Sequence, residues 1–254
     1  MKDNAAVRRN LKLTIAYDGS AYHGFQRQLN ALTVQQVLEE KLAAIMCEPL
    51  SIAGSARTDA GVHAYGQVVS FRTSGTIPTE RIPAAAGGVL PRDIAVIDAK
   101  EMPDSFHARF SACGKLYAYR ILHSVIPDPL LRKYVWQVTG ELDEITINQA
   151  LQVLVGEHHF GAFQSSGSSA KNPVRTLYST HCVRQGDMLE IKFHGNGFLY
   201  HMVRNIVGTV VDVGAGKLSR ADFEKIFVGR DRRAAGITAP SEGLYLKEVF
   251  YANP

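Results

Sequence analysis

Residues 52–71 read IAGSARTDAGVHAYGQVVSF. Two apolar, strand-like runs are joined here by a turn that carries Arg57, Thr58, Asp59, Gly61 and His63. Apolar chain on both sides puts the turn at the end of a buried sheet, where a carboxylate gains reactivity and a guanidinium steadies it. Asp59 is therefore a candidate nucleophile. Thr-Asp-Ala-Gly is also ordinary turn chemistry, with Asp bonding its own backbone and Gly taking a positive φ. A calcium loop is a weaker rival, because it needs oxygen ligands at alternate positions before its glycine and Ala60 and Val62 supply none.

Outward from this turn, the first hundred residues predict β-α-β-β-α-β. The run LKLTIAYDG after Asn10 alternates and ends at Asp18-Gly19 as a first strand and its turn. Thr33 and Gln36 form a capping box for a helix through Val34, Val37, Leu38, Leu42 and Ile45, and Pro49 forbids its continuation. Residues 50–56 form the strand before the Asp59 turn, and Val68, Val69 and Phe71 lie on the strand after it. Thr79 caps a shorter helix over 84–89, and DIAVIDA, 93–99, is the fourth strand. This is the split βαβ, ferredoxin-like order, with two helices on one face of a sheet and the other face open to a ligand. RNA-recognition modules use such a face, although the RNP1 aromatic signature is missing.

A connector over 102–111 leads to a second copy with insertions. Residues 114–123 form a strand with Tyr117, Tyr119 and Ile121 on one face, and 134–138 is another candidate. Thr146 and Gln149 cap a helix through Leu151, Leu154 and Val155. Residues 175–183 and 188–194 alternate as a hairpin about Gln185-Gly186-Asp187. Phe198 opens the longest helix, ended by Gly214 and Gly216; Ser219 starts a short helical segment, and 243–251 closes as a strand. The expected fold is α/β of the α+β kind: two ferredoxin-like, RRM-like halves, 1–104 and 105–254, forming an extended mixed, mainly antiparallel sheet with a cleft between the halves.

Composition narrows the function. With 254 residues and 46% apolar content the chain has ample material for a packed core. Its net charge of +4 is mild, but arginine and lysine recur beside aromatics and glycines in GFQRQ, HARF, KLYAYR, LRKYVW and GRDRR, as on a surface that grips phosphates and stacks bases; a solvated basic face is the plain alternative. Cys47, Cys113 and Cys182 are widely spaced and odd in number, which offers neither a zinc pattern nor a disulfide framework and suits a reducing cytoplasm. No signal peptide and no run of about 18 apolar residues is present, so the expectation is a soluble cytoplasmic protein without a membrane segment.

On the helix over 199–213, Leu199, Val203, Ile206, Val207 and Val210 share the core side, whereas His201, Arg204, Asn205 and Gly208 line another stripe. Surface helices usually carry Glu and Lys there, so Arg204 reads either as a site residue or as a plain surface arginine. The polar segment 161–172, GAFQSSGSSAKN, with Lys171, is a mobile surface loop or one that orders on a phosphate backbone. Gly214-Ala215-Gly216-Lys217 fails as a P-loop, because Val211 replaces the leading glycine and Leu218 the magnesium-binding hydroxyl. His158-His159 lacks a zinc context, and neither a zinc-deaminase signature nor a GxSxG elbow occurs. A metal-dependent nuclease built on Asp59 lacks a second nearby carboxylate.

The turn GSARTDAGVHAYGQVVSF, the strand KLYAYR, the helix opening GNGFLYHMVRNIVG and the terminal APSEGLYL resemble, in order and over nearly the whole chain, the tRNA pseudouridine synthase A (TruA) family. The resemblance implies isomerisation of uridine to pseudouridine at positions 38, 39 and 40 in the anticodon arm of tRNA. It implies a cytoplasmic homodimer with neither cofactor nor metal. Carried over residue by residue, it implies Asp59 as the catalytic nucleophile, Arg57 as the arginine linked to flipping the target nucleotide, Tyr117 as the tyrosine that contacts the base, and Arg204 as the arginine that pairs with the aspartate. Phe106, His107, Arg109 and Phe110 in the segment 106–110, and Gly167 and Lys171 in the loop 167–171, match tRNA-contacting segments. Ala56 stands before Arg57 where the family often has Gly, which affects only turn flexibility.

The chemistry agrees with that assignment. Pseudouridylation is redox-neutral and needs no energy donor, so a chain without cofactor motifs suits it. An aspartate with an ordinary pKa of about 3.9 is ionised at neutral pH, and an arginine partner offsets its desolvation. The target nucleotide must be turned out of the folded RNA, and Arg57 could fill the space it leaves. Tyr117 offers a stacking ring and a hydroxyl, or is a plain sheet tyrosine; Leu244 and Leu246 share one strand face and could wall a dry pocket. A non-catalytic RNA-binding protein on the same doubled fold remains the alternative from another class.

Overall fold

The computed structural model describes residues 8–168 and 170–252. In chain order its strands and α-helices are β1 (Arg9–Tyr17), α1 (Val34–Met46), β2 (Ala53–Gly54), β3 (His63–Thr73), α2 (Ile82–Gly87), β4 (Ile94–Met102), β5 (Ala112–His123), β6 (Trp136–Val138), α3 (Glu144–Gln152), β7 (Gly156–His159), β8 (Val174–Gln185), β9 (Met188–Gly195), α4 (Met202–Gly214), α5 (Arg220–Gly229) and β10 (Leu244–Tyr251). The protein is mixed α/β, in two compact units. The first runs to Cys113 and regains the chain from Leu246, and the second is Gly114–Tyr245. A boundary at 104 falls inside the first unit. The connector belongs there because Asn10 Nδ2 donates to the carbonyls of Pro103 and Phe106, both at 2.9 Å, and the Tyr251 hydroxyl donates to Ala108 O at 2.7 Å.

In the first unit β1 lies between β4 and β3, antiparallel to both, and β2 pairs antiparallel with β3, which is the split βαβ order. Alternation along β1 does what a half-buried strand requires: Leu11, Leu13 and Ile15 have no exposed surface, each contributing roughly 1.5–3 kcal/mol by burial. The strand expected over 50–56 is shorter, since only Ala53 and Gly54 pair with β3. Thr33 Oγ1 accepts from Gln36 N at 3.4 Å at the start of α1, whereas the Gln36 side chain turns to Glu40 (3.0 Å), so only half of the expected capping box forms. Val34, Val37, Leu38, Leu42 and Met46 are the buried face of α1, and Cys47 ends it in the left-handed region. The helix expected over 84–89 begins earlier, at Ile82, after a 3-10 turn Thr79–Arg81, with no side-chain cap from Thr79.

The second unit orders its strands β5-β9-β8-β7, antiparallel throughout, with β6 added parallel to β5. The β8–β9 hairpin turns at Gly186-Asp187, where Gly186 has φ +59. Two helix starts differ from expectation. Asp143, not Thr146, caps α3, because a carboxylate accepts from both Ile145 N and Thr146 N at 3.1 Å. α4 starts at Met202, not Phe198, after His201 takes a left-handed conformation at φ +59. β7, whose Gly-Glu-His-His sequence shows no apolar alternation, was not legible beforehand. Phe160, Phe163, Phe223 and Phe227 pack α5 against the turn Gly161–Phe163, with ring centroids 5.3–5.9 Å apart.

Candidate active site

The Asp59 turn is held from beneath by a buried amide. Gln67 on β3, with no exposed surface, accepts through Oε1 from Ser55 Oγ (2.7 Å) and Ala56 N (3.2 Å), and donates through Nε2 to Ala56 O (2.8 Å). Beside it the Tyr17 hydroxyl bonds Thr58 Oγ1 at 2.7 Å, and Thr58 O accepts from Phe25 N at 3.0 Å. Burial drives the Tyr17 phenol pKa far upward, the bonds to Thr58 and Gln67 opposing, so it stays a neutral hydrogen-bonding group. Asp59 O receives Val62 N at 3.2 Å, and Gly61 takes φ +79 as the turn requires. His63 is buried, with Nδ1 accepting from Gly19 N at 3.1 Å and the Asp18 carboxylate 3.2 Å away. The residues on either side of Asp59 are thus fixed, whereas the Asp59 side chain is half-buried and the Arg57 side chain exposed.

The segment 106–110 lies in the same unit. Ala108 N donates to the buried Ser70 Oγ at 3.0 Å, and His107 Nδ1 accepts from Arg109 N (3.1 Å) and Phe110 N (3.4 Å). Phe106 packs inward on Tyr251 at 5.1 Å. Arg109 and Phe110 are left outward, with Phe110 78% exposed although aromatic. Leu246, the first residue of the returning chain, is fully buried.

In the second unit Tyr117 is buried on β5, edge-on to Phe198 at 5.0 Å. The polar stripe of α4 is covered by a later segment of the chain. Asn205 and Gly208 are buried, and a Cβ on Gly208 would stand 1.9 Å from Ile237 O, so only glycine admits the segment 235–239 across this helix. Arg204 Nε donates to Ala239 O at 2.7 Å, and the Tyr119 hydroxyl to the next carbonyl, Pro240 O, at 2.6 Å. Arg204 and Tyr119 therefore grip consecutive peptide carbonyls a few residues before Leu244, itself buried. Arg232 supports the same segment, donating to Asn205 Oδ1 (3.0 Å), Thr238 Oγ1 (3.1 Å) and Gly236 O (2.9 Å). Asn205 Nδ2 in turn holds Phe163 O (2.8 Å) and Ser165 Oγ (3.1 Å), anchoring the loop that carries Gly167, at φ +81, and the exposed Lys171.

The sequence reading missed Gln67, Tyr17, Tyr119, Asn205 as a buried anchor, and Arg232. A glutamine amid the apolar VHAYGQVVSF run was the one signal that could have found any of them, since a buried amide needs partners. Among the described residues no group of three or more His, Cys, Asp or Glu is placed to hold a metal ion, and no helix is long and apolar enough to cross a membrane.

A family model described as tRNA pseudouridine synthase matches residues 13–111 and 150–252. The chain belongs to the tRNA pseudouridine synthase family. It is 44% identical over 243 residues to the tRNA pseudouridine synthase A of Thermoanaerobacter sp. (strain X514), covering 96% of this chain and 100% of that one. It is 45% identical, with the same coverage, to that of Acetivibrio thermocellus, and 46% identical to that of Citrifermentans bemidjiense, covering 96% of this chain and 98% of that one. Among solved structures it is similar to the crystal structure of a Cbf5-Nop10-Gar1 complex, at 12% identity and TM-score 0.41, covering 93% of this chain and 48% of that one. Members of this family are isomerases, and both matched stretches contain the parts described above: the first spans the Asp59 turn and the segment 106–110, the second α4 and β10.

Proposed function

We propose that this member of the family isomerises uridine to pseudouridine at positions 38, 39 and 40 in the anticodon arm of tRNA, with Asp59 as the nucleophile. The observation that carries the reading is the clamp beneath the turn. A wholly buried Gln67 and the Tyr17–Thr58 pair immobilise the backbone on both sides of Arg57, and Asp59 follows half-buried on that fixed backbone, as a preorganised nucleophile requires. In the reaction the bond from C1′ to N1 of uracil breaks, the freed ring turns, and a bond from C1′ to C5 forms. The C5 proton leaves to solvent and N1 gains one, so atoms and electrons balance without an outside reactant.

In this reading Arg57 takes the space vacated by the extruded nucleotide, and Tyr117 stacks on the base. Arg204, Leu244 and Leu246 serve as substrate-binding residues. Phe106, His107, Arg109, Phe110, Gly167 and Lys171 contact the RNA, and the enzyme works as a cytoplasmic homodimer. The test is release of tritium from tRNA labelled at uridine C5. Wild-type protein releases it, and Asp59→Asn lowers the rate by at least about 10²-fold while still binding tRNA. Full turnover by Asp59→Asn sinks the nucleophile, and label retained by wild-type protein on tRNA with uridine at 38–40 sinks the activity.

A further inference from the structure

Between the chain leading into α1 and the segment 106–110 lies a cavity of about 210 Å³, wholly within the first unit. Its buried lining is apolar, from Phe25 at 2% and Ile52 at 3% exposure. Its mouth is polar and aromatic, with Arg57, Arg109, Gln26 and Phe110 all exposed. His107 completes one wall, its ring 4.4 Å from that of Phe110 and tilted 35°. Because His107 Nδ1 accepts two backbone N–H groups, the ring is pinned against Phe110 as a fixed surface. Among the described residues the Arg57 guanidinium and the Gln26 amide make no side-chain hydrogen bond or ion pair, so both are available to a ligand.

This arrangement has the chemistry of a nucleotide site. An anion site would need donors in its depths, but here the buried lining residues, Phe25 and Ile52, are apolar, the half-buried Gln35 amide is already bonded to Glu39 and Ile52 O, and the cations stand outside. A volume below the roughly 300–1,000 Å³ of sites for larger organic ligands suits one ring system. Flat aromatic surfaces take an unstacked base, an amide reads its edge, and guanidiniums at the mouth meet the phosphates beside it.

We propose that this cavity is a second nucleobase subsite, which receives one unstacked tRNA base other than the uridine being isomerised. Phe110 and His107 lie against the base, Gln26 meets its edge, and Arg57 and Arg109 neutralise the flanking phosphates. The subsite rests on tRNA being the substrate. It gives Arg57 a task besides flipping, which is to link the catalytic turn to a neighbouring nucleotide and so set the register of the RNA.

The experiment uses full-length tRNAs that each carry one abasic nucleotide in the anticodon arm or another loop. Their dissociation constants are measured at fixed salt with wild-type protein, Phe110→Ala and Gln26→Ala. Both replaced side chains are exposed, so the variants should keep the wild-type thermal midpoint. At one position other than the target uridine, loss of the base weakens wild-type binding roughly 10-fold. That same tRNA binds the variants no more weakly than the unsubstituted tRNA does, because the partner is already missing. If abasic losses and protein substitutions add at every position, or if Phe110→Ala weakens all tRNAs equally, the subsite is wrong and the side chains touch only backbone. Tritium release by wild-type protein from unsubstituted tRNA is scored separately. Its absence with the coupling intact overturns the isomerase reading alone, and its presence without coupling overturns the subsite alone.

Discussion

Gln67 and its partners Ser55 and Ala56 are all buried, so loss of the amide leaves the Ala56 N–H and carbonyl without their buried side-chain partners. Each unsatisfied group costs about 1–3 kcal/mol. Gln67→Leu should therefore lower the thermal midpoint markedly and, because Arg57 and Asp59 lose their footing, reduce kcat more than tRNA affinity. Gln67→Glu keeps the acceptor but loses the Nε2 donor to Ala56 O, and should fall between the two in tritium release. Equal kcat in all three proteins would remove Gln67 from the positioning of the turn. Cys182 offers a second check at this scale. It is buried on β8, and burial, with Glu144 nearby, pushes its thiol up to about 12, whereas Cys47 and Cys113 are exposed. A disulfide reagent at pH 8 should titrate two thiols in the native protein and the third only after unfolding.

At the scale of elements, α4 is the part whose role changes most once its surroundings are known. Its apolar side was legible from spacing, and His201, Arg204, Asn205 and Gly208 stand out in the sequence as an unusual polar stripe. Why the stripe is unusual was not legible, because the covering segment 235–239 lies some thirty residues downstream and carries no pattern of its own. Gly208→Ala tests this packing. The new Cβ would meet Ile237 O, pushing the segment away, at about 1–3 kcal/mol of overpacking, and weakening the bond from Arg204 Nε to Ala239 O. The expected result is a lower thermal midpoint together with a fall in tritium release. A variant with wild-type activity would mean that Arg204 works without that carbonyl. Helix starts show the same limit on a smaller scale. At α3 both Asp143 and Thr146 are acceptable caps, and only the backbone geometry chooses Asp143, to which Thr146 then donates its hydroxyl.

For the molecule as a whole, the titrating carboxylates set the response to acid. Hydrogen bonds from Thr73 and Ser74 hold Glu48 below its usual range, those from Thr146 and Ile145 hold Asp143 below, and Ser219 does the same for Asp222. The Arg233 guanidinium lowers Asp231 to about 2. At Glu190 burial favours the neutral acid, but Arg120 and Lys192 together outweigh it and the carboxyl is lowered. Each folded pKa lies below the unfolded one, so the unfolded chain binds more protons and stability rises with pH. The contribution is present in full above the ordinary carboxylate range and drains away as pH falls below about 4.5 toward the folded values. Urea midpoints should thus be level near neutrality and fall modestly between about pH 4.5 and 2, because solvent screens most of these carboxylates, and midpoints that rose on acidification would contradict these contacts.

Local periodicity and short motifs were enough to determine the order of most strands and helices, the ferredoxin-like pairing of the first half, the Asp59 turn and the family. Those properties depend on residues close in the chain or on types that few other folds place in that order. Tertiary structure alone decided where the first unit ends, that Gln67 holds the Asp59 turn, that α4 is covered on its polar side, and that Tyr119 grips a carbonyl 121 residues away. A buried donor must find an acceptor somewhere, but which one it finds is set by how the chain folds back, and no window of neighbouring residues contains that information.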